Sequence, residues 1–445
     1  MDPIVTPAEM AVVDAAARES VAELIERAGR AVANVALRML GGGYGRRVVV
    51  FAGTGNNGAD GRVAASILER RGVRCEVLTP GQTPRHAPDL VIDGCVGTGL
   101  RRPFIAPNID APMVLAIDIP SGIDGLTGEV RGEAVRADVT ITFAARKPGL
   151  LVGSGPDHAG VVEVADIGLD VGVPAMQLIT DTDLGLWPGP MRSAHKWERA
   201  VWVIGGQPGM PGALSLAAEA AARSGAGYVA VSTPGDRAVG HRESVGVALP
   251  KQGWNGIIGP GSRRYSSLVI GPGLDPSTDA ADLAAVLGLG TPAVLDAGAI
   301  DVVARDPGIV AGRPVVLTPH DGEFERLTGN HPGPDRIDSV RRAAGDLDAI
   351  VLLKGPTTVV ADPAGHVRLI TSGDARLATA GTGDVLAGVI GAALACGLGP
   401  LTAAALAAHL HGLAARRTRR SVIIASDLLA HLSAHAPLCP RPLTA

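Results

Sequence analysis

Aromatic side chains are nearly missing from this sequence: Phe, Trp and Tyr make up 2% of 445 residues, although 46% are apolar. Large rings cannot dominate such a core, which must be filled by Ala, Val, Leu and Ile. Cysteine is also scarce. Cys75, Cys95, Cys396 and Cys439 form no C-x-x-C pair, which suits a reducing cytoplasm. There is no basic surplus, since the formal net charge is -4, so no nucleic-acid partner is expected. No G-x-x-x-x-G-K-[ST] occurs, which excludes a P-loop. The opening MDPIVTPAEM carries an early acid and no apolar run, so it does not read as a signal peptide. Residues 385–408 are uncharged over a bilayer-spanning length, but GLGP at 397–400 breaks the run. Two buried helices, not a membrane segment, are expected there.

What is present is an alternation. Thr6 with Glu9 three residues on predicts a capping box at the start of a first helix. After Arg47, short β-rich runs (VVVFAG, CEVLTP, LVIDGC, MVLAIDIP, VTITFAA) alternate with helical segments. Runs this apolar suit strands covered on both faces, hence a parallel sheet flanked by helices. Pro188, Gly189 and Pro190 punctuate an irregular stretch, and a second alternating series follows. The expectation is two α/β domains, 1–178 and 179–445. In both, strand after strand runs straight into Gly plus a polar residue, the pattern of a site at the carboxyl edge of an open sheet.

In the first half, Gly53, Gly55 and Gly58 fit the dinucleotide fingerprint G-x-G-x-x-G. The acid that should hold a ribose at the end of the next strand is missing: CEVLTP ends in Thr79 and Pro80. Asn57, Asp93 and Ser121 each follow an apolar run and offer hard oxygen ligands. They suit an alkali or alkaline-earth cation better than zinc, or a hydrogen-bonded cluster without metal. Asp118, in AIDIPSG, is placed to be desolvated and to move a proton.

The stretches GTGNNGADG, VIDGCVGTGLRRP, LAIDIPSGIDGLTGE and TFAARKPGL together resemble the NAD(P)H-hydrate epimerases over residues 5–170. That resemblance implies a three-layer αβα, Rossmann-like domain that inverts the hydroxyl-bearing carbon of a hydrated nicotinamide ring. It assigns the hydrate to Asn56, Asn57, Gly58, Ala59 and Asp60, to Gly97, Thr98, Gly99, Leu100, Arg101, Arg102 and Pro103, and to Asp118. Potassium falls to Asn57, Asp93 and Ser121. The family loop keeps glycine where this chain has Ala59; if that position needs positive φ, Ala strains or moves the loop.

In the second half, LATAGTGDVLAGVIGAALA places Gly381 and Gly383 before Asp384 and an apolar helix. Backbone N–H groups there would form an anion hole, and Asp384 can take a proton from a hydroxyl attacking phosphate. A helix start with a capping Asp is the plainer alternative. Lys354, Thr357 and Thr358 in LLKGPTTVV offer a cation and hydroxyls to phosphates. His320 and Glu323 in LTPHDGE could meet a second substrate or a metal-bound water. With VIGPGL and the segment from Ala194 to Val229, these stretches resemble the ADP/ATP-dependent NAD(P)H-hydrate dehydratases, of ribokinase-like αβα fold. The resemblance implies that ADP, with Mg²⁺, is bound by Lys354, Gly355, Pro356, Thr357, Thr358 and Gly383. Ala226, Gly273, His320 and Asp384 would face the hydrate, with Asp384 as base. A departure is Asp321, where Pro is common.

The combined expectation is a cytoplasmic, homo-oligomeric repair enzyme for hydrated NADH and NADPH, with an epimerase followed by a dehydratase. The rival readings are an NAD-dependent dehydrogenase and a small-molecule kinase carrying a nucleotide-binding module. His431 and His435 have the spacing of a metal pair without a third ligand, and His409 and His411 should point to different faces of one helix.

Overall fold

A computed structural model describes residues 1–100, 102–189, 194–258 and 260–432. The chain divides into two compact units, Asp2–Met176 and Gln177 onward with Met1.

In the first unit the strands lie in the order Arg74–Leu78, Arg47–Ala52, Leu90–Gly94, Val114–Ile117, Val139–Phe143 and Val161–Ala165. Every pairing is parallel, so all strand ends that carry chemistry share one edge. The helix Pro7–Ala16 opens with the expected box, Thr6 and Glu9 bonding each other's backbone. One sheet face is sealed by the helices Val21–Leu40 and Asn56–Arg70, through Val32, Ala36, Ala64 and Leu68. The opposite face departs from expectation. Val49, Phe51, Val91 and Val114 are covered there by Val96, Leu100, Phe104, Ala106 and Ile109, which belong to irregular chain. Pro103, Pro107 and Pro112 explain this, since proline removes the N–H donors that a helix needs.

In the second unit the sheet runs Val367–Ile370, Thr358–Ala361, Ile350–Leu353, Val315–Leu317, Ala293–Leu295, Ser267–Ile270, Ala200–Ile204, Tyr228–Ser232 and Val245–Gly246. From Ile350–Leu353 through to Val245–Gly246 it is parallel. Here too the purely parallel expectation needs correction: Thr358–Ala361 runs antiparallel to both its neighbours. The reason is loop length. Only residues 354–357 separate Leu353 from Thr358, and a parallel return needs a crossover of a dozen residues or more.

The uncharged run at 385–408 is two helices, Thr382–Ala395 and Pro400–Arg417, split at Gly397 and Gly399. Thr382–Ala395 packs between Pro211–Arg223 and Pro400–Arg417 in an alanine-rich core on one sheet face. Among the described residues no helix is long and apolar enough to cross a membrane. The helix Arg336–Leu347 packs against the strands Ile350–Leu353 and Thr358–Ala361 outside that cluster. Four of the aromatics, Trp197, Trp202, Tyr228 and Tyr265, meet near the start of the central strands. Trp197 stacks on Tyr228 at 4.0 Å, and Tyr265 bridges towards Trp202 at 5.1 Å.

Candidate active sites

The first site is a cavity of about 490 Å³ at the carboxyl edge of the first sheet. Asn56, Asn57, Gly58 and Asp60 reach it because the helix starts at Asn56, earlier than a glycine loop suggests. Its N-cap Gly55 supplies no side-chain bond, so the first N–H groups are left for an anionic ligand. Gly58 is glycine for a steric reason: a Cβ there would lie 2.0 Å from the Gly53 carbonyl. Ala59 is helical, its N–H bonded to Gly55, and it has no positive φ. The strain anticipated at this departure from the family loop is absent.

Asp118 sits just past Val114–Ile117 with φ 67, a left-handed conformation rare for a non-glycine residue and of the kind that clusters at functional sites. Its Oδ1 lies 2.7 Å from Lys147 Nζ and accepts from Thr142 at 2.9 Å. Lys147 is buried and also donates to Thr142 Oγ1 and to the carbonyls of Phe143 and Ala145. Burial, reinforced by the Asp118 charge, pushes the Asp60 carboxyl up to about 7. The cavity therefore holds one carboxyl able to keep its proton near neutrality and one paired with a cation. Met10 and Asp14 enter the wall from the first helix, a contribution the sequence pattern did not reveal.

Asp93 is buried and accepts from Ser121 Oγ at 2.7 Å, Ser121 N–H at 2.8 Å and Cys95 N–H at 3.2 Å. Burial outweighs these bonds and raises its pKa. No ion pair joins it to a basic side chain among the described residues. Ser121 Oγ also lies 3.0 Å from the Val96 carbonyl. Asn57 donates Nδ2 to the Ile117 carbonyl, which leaves its Oδ1 as an acceptor beside Gly97. A buried carboxylate without a countercharge, among neutral oxygens, suits a weakly hydrated monovalent cation.

Of the other residues expected to bind the hydrate, Gly97, Thr98 and Gly99 line the cavity. Leu100 packs on the sheet face, Arg102 and Pro103 are exposed, and Ala59 lies outside the lining. Arg101 lies outside the described residues.

The second site is a cavity of about 950 Å³ that joins Lys354, Gly355, Pro356, Thr358, His320 and Gly383. Gly381 caps the helix Thr382–Ala395 with φ 89, a conformation glycine adopts freely. Asp384 consequently does not cap: its side chain holds no hydrogen bond among the described residues, and the carboxylate is left for chemistry. Burial, with Asp296 and Glu323 nearby, pushes it up to about 7 against the pull of Lys354. Lys354 Nζ lies 2.7 Å from Asp296 and 3.8 Å from Glu323, and a Cβ on Gly383 would come within 3.3 Å of it. The ammonium thus lies over the helix start. Asp296, held by Thr318 at 2.8 Å, is a member of this cluster that the motifs did not single out.

His320 and Glu323 form a capping box on the helix Asp321–Thr328, and His320 also faces the cavity. Asp321, in place of the common Pro, makes a two-pronged pair with Arg336 at 2.7 and 3.0 Å. Arg336 in turn donates to the Lys354 carbonyl. Gly273 (φ 68) lies 3.3 Å, measured from an added Cβ, from Gly206 at the same sheet edge. Ala226 is not brought to the others. It precedes Tyr228–Ser232, whose first residue pairs with Ala200, and so lies at the opposite edge of the sheet. His431 lies in the last turn of the last described helix, Ala425–Leu432, and His435 lies outside the described residues.

Comparison with known proteins agrees with this two-site division. Residues 201–437 match the family model described as NAD(P)H-hydrate dehydratase. Residues 21–85 and 79–149 match that described as YjeF-related protein N-terminus. The chain is 40% identical over 394 residues to the bifunctional NAD(P)H-hydrate repair enzyme Nnr of Mycobacterium tuberculosis H37Rv, covering 80% of each. It is 34% identical to that of Moorella thermoacetica, covering 96% of this chain and 95% of the relative. The Escherichia coli K12 protein is 32% identical, with 92% and 88% covered. A ribokinase-like superfamily protein from Enterococcus faecalis superposes on 60% of this chain and 97% of its own, with a TM-score of 0.51 and 24% identity. The chain belongs to the family of bifunctional NAD(P)H-hydrate repair enzymes.

Proposed function

We propose that the first unit interconverts the R and S hydrates of NADH and NADPH, and that the second returns the S hydrate to NAD(P)H at the expense of ADP, giving AMP and phosphate. The observation that carries this is Asp384: an uncapping, unbonded carboxyl at a helix start, pushed up to about 7 beside the one lysine of the nucleotide loop. The ring hydroxyl gives its proton to Asp384 while its oxygen attacks the β-phosphoryl group, with AMP leaving. Lys354 and the N–H groups after Gly381 hold the phosphate charge. Phosphate then departs from the ring carbon, a ring proton is lost, and the C=C bond returns.

Mg²⁺ would arrive on the nucleotide phosphates, its usual habit, since the described residues hold no preassembled cluster of acidic, His or Cys ligands. In the first unit, potassium would be held by Asn57, Asp93 and Ser121 and would balance the buried Asp93 charge. Asp60, protonated near neutrality, is suited to assist departure of the ring hydroxyl, and Asp118 to accept a proton as water returns on the other face.

The test supplies the intact protein with a mixture of hydrated NADH epimers, ADP, Mg²⁺ and K⁺, and follows recovery of dihydronicotinamide absorbance. Recovery of both epimers is expected, and Asp384→Asn should abolish it. Phosphorylated hydrate accumulating without recovery would favour a kinase instead.

A further inference from the structure

Arg336 opens the helix Arg336–Leu347 and is not itself in the wall of the second cavity. Its guanidinium stitches two strand ends together. Two of its nitrogens hold the Asp321 carboxylate at 2.7 and 3.0 Å, a planar fork that fixes direction as well as distance. One of them also donates to the Lys354 carbonyl at 3.2 Å. The Lys354 backbone is thereby pinned on both sides, because its N–H donates to the Pro319 carbonyl at 2.9 Å. Glycine at 355 permits the approach: a Cβ there would stand 3.0 Å from the same Arg336 nitrogen. The peptide between Lys354 and Gly355 is trans and planar, so its C=O and N–H point opposite ways. With the carbonyl turned to Arg336, the Gly355 N–H points away from it. That N–H has no hydrogen-bond partner among the described residues, and Gly355 is exposed in the cavity wall.

We propose that Arg336 is the positioning residue of the nucleotide loop: by holding the Lys354 carbonyl behind the loop, it turns the Gly355 N–H into the cavity, towards the phosphates of the nucleotide. The inference rests on the cavity taking ADP. Were this peptide to turn over, a carbonyl oxygen would meet phosphate oxygens, and a donor would be exchanged for a repelling acceptor. Asp321 aims the guanidinium and balances its charge, so Arg336 acts through the loop and is not itself a phosphate ligand.

The test measures KM for ADP, KM for the S hydrate and kcat with the whole protein, as wild type, as Arg336→Met, and as Arg336→Met/Asp321→Asn, which strands no carboxylate. One lost bond to a charged phosphate corresponds to about tenfold or more. We expect KM for ADP to rise at least about tenfold in both variants, with KM for the hydrate little changed. A merely structural role would lower the folded fraction, read as kcat per total protein, and leave KM for ADP where it was; that result overturns the proposal. So does an equal rise in both KM values, which marks a general slackening of the site. Should neither variant fold, the Gly355 amide proton of the wild type decides by nuclear magnetic resonance. It should move downfield on addition of ADP and Mg²⁺ as it meets a phosphate oxygen, and a resonance that stays in place overturns the proposal. Absence of repair by the wild type removes the proposed function alone if the Gly355 amide still answers ADP, and both if it does not.

Discussion

Lys147 Nζ lies 2.7 Å from Asp118 Oδ1, with the two side chains only 3% and 12% exposed. Removing one partner strands the other charge in a dry site, which typically costs about 3–5 kcal/mol. Lys147→Met is expected to destabilise the protein by about that much in urea denaturation. The double variant Asp118→Asn/Lys147→Met should recover most of the loss. Asp118→Asn alone should leave the S hydrate repaired and slow recovery of the R hydrate; equal rates for both would refute its role in epimerisation.

The raised carboxyl of Asp384 gives a pH signature. Acting as a base, it must be ionised, so dehydration should climb as pH rises through about 7. Stability moves the other way. The folded carboxyl keeps its proton to about 7 and the unfolded one releases it near 3.8. The stabilisation is complete below the lower value and lost as pH rises through the upper one. Asp384→Asn should therefore gain stability over the wild type at pH 8 compared with pH 5, as thermal melts at the two pH values would show.

Asp93 predicts an ion dependence. Epimerisation should saturate with K⁺ and run slower in Li⁺, whereas Asp93→Asn should flatten the K⁺ titration. An Asp93→Asn enzyme that keeps the wild-type K⁺ curve would count against this site.

Ala59 and Gly58 make opposite forecasts from adjacent positions. Because Ala59 is helical, Ala59→Gly should cost about 0.5–1 kcal/mol and bring no gain in epimerase rate. Gly58→Ala drives a methyl into the Gly53 carbonyl and should impair both stability and hydrate binding. A faster enzyme from Ala59→Gly would restore the idea that the family glycine is functional.

These residues also mark what the sequence discloses. Thr6 with Glu9, the split of the uncharged run at 397–400, and Asp384 behind Gly381 are local features, and local chemistry is written in order along the chain. Ala59 misled because helix boundaries are uncertain by a residue or two, and here the helix begins inside the loop. The hidden part is pairing over distance. Nothing near Asp118 announces Lys147, and Asp296 meets Lys354 58 residues away. Arg336 looks like any arginine at a helix start until Asp321 and Lys354 appear beside it. The irregular cover over Val49 and Phe51 and the antiparallel hairpin ran against expectation, although the prolines of the one and the four-residue turn of the other held the signal.

The clustering of the few large rings has a practical consequence. All four tryptophans lie at or beyond position 187, so the first unit contains none, and its one tyrosine, Tyr44, is 96% exposed. Indole emission is thus a private signal of the second unit, with Trp202 and Trp254 fully buried and due to shift to the red on melting. A transition seen in far-ultraviolet circular dichroism without a matching change in emission belongs to the first unit. The intact enzyme carries its own means of telling its two halves apart.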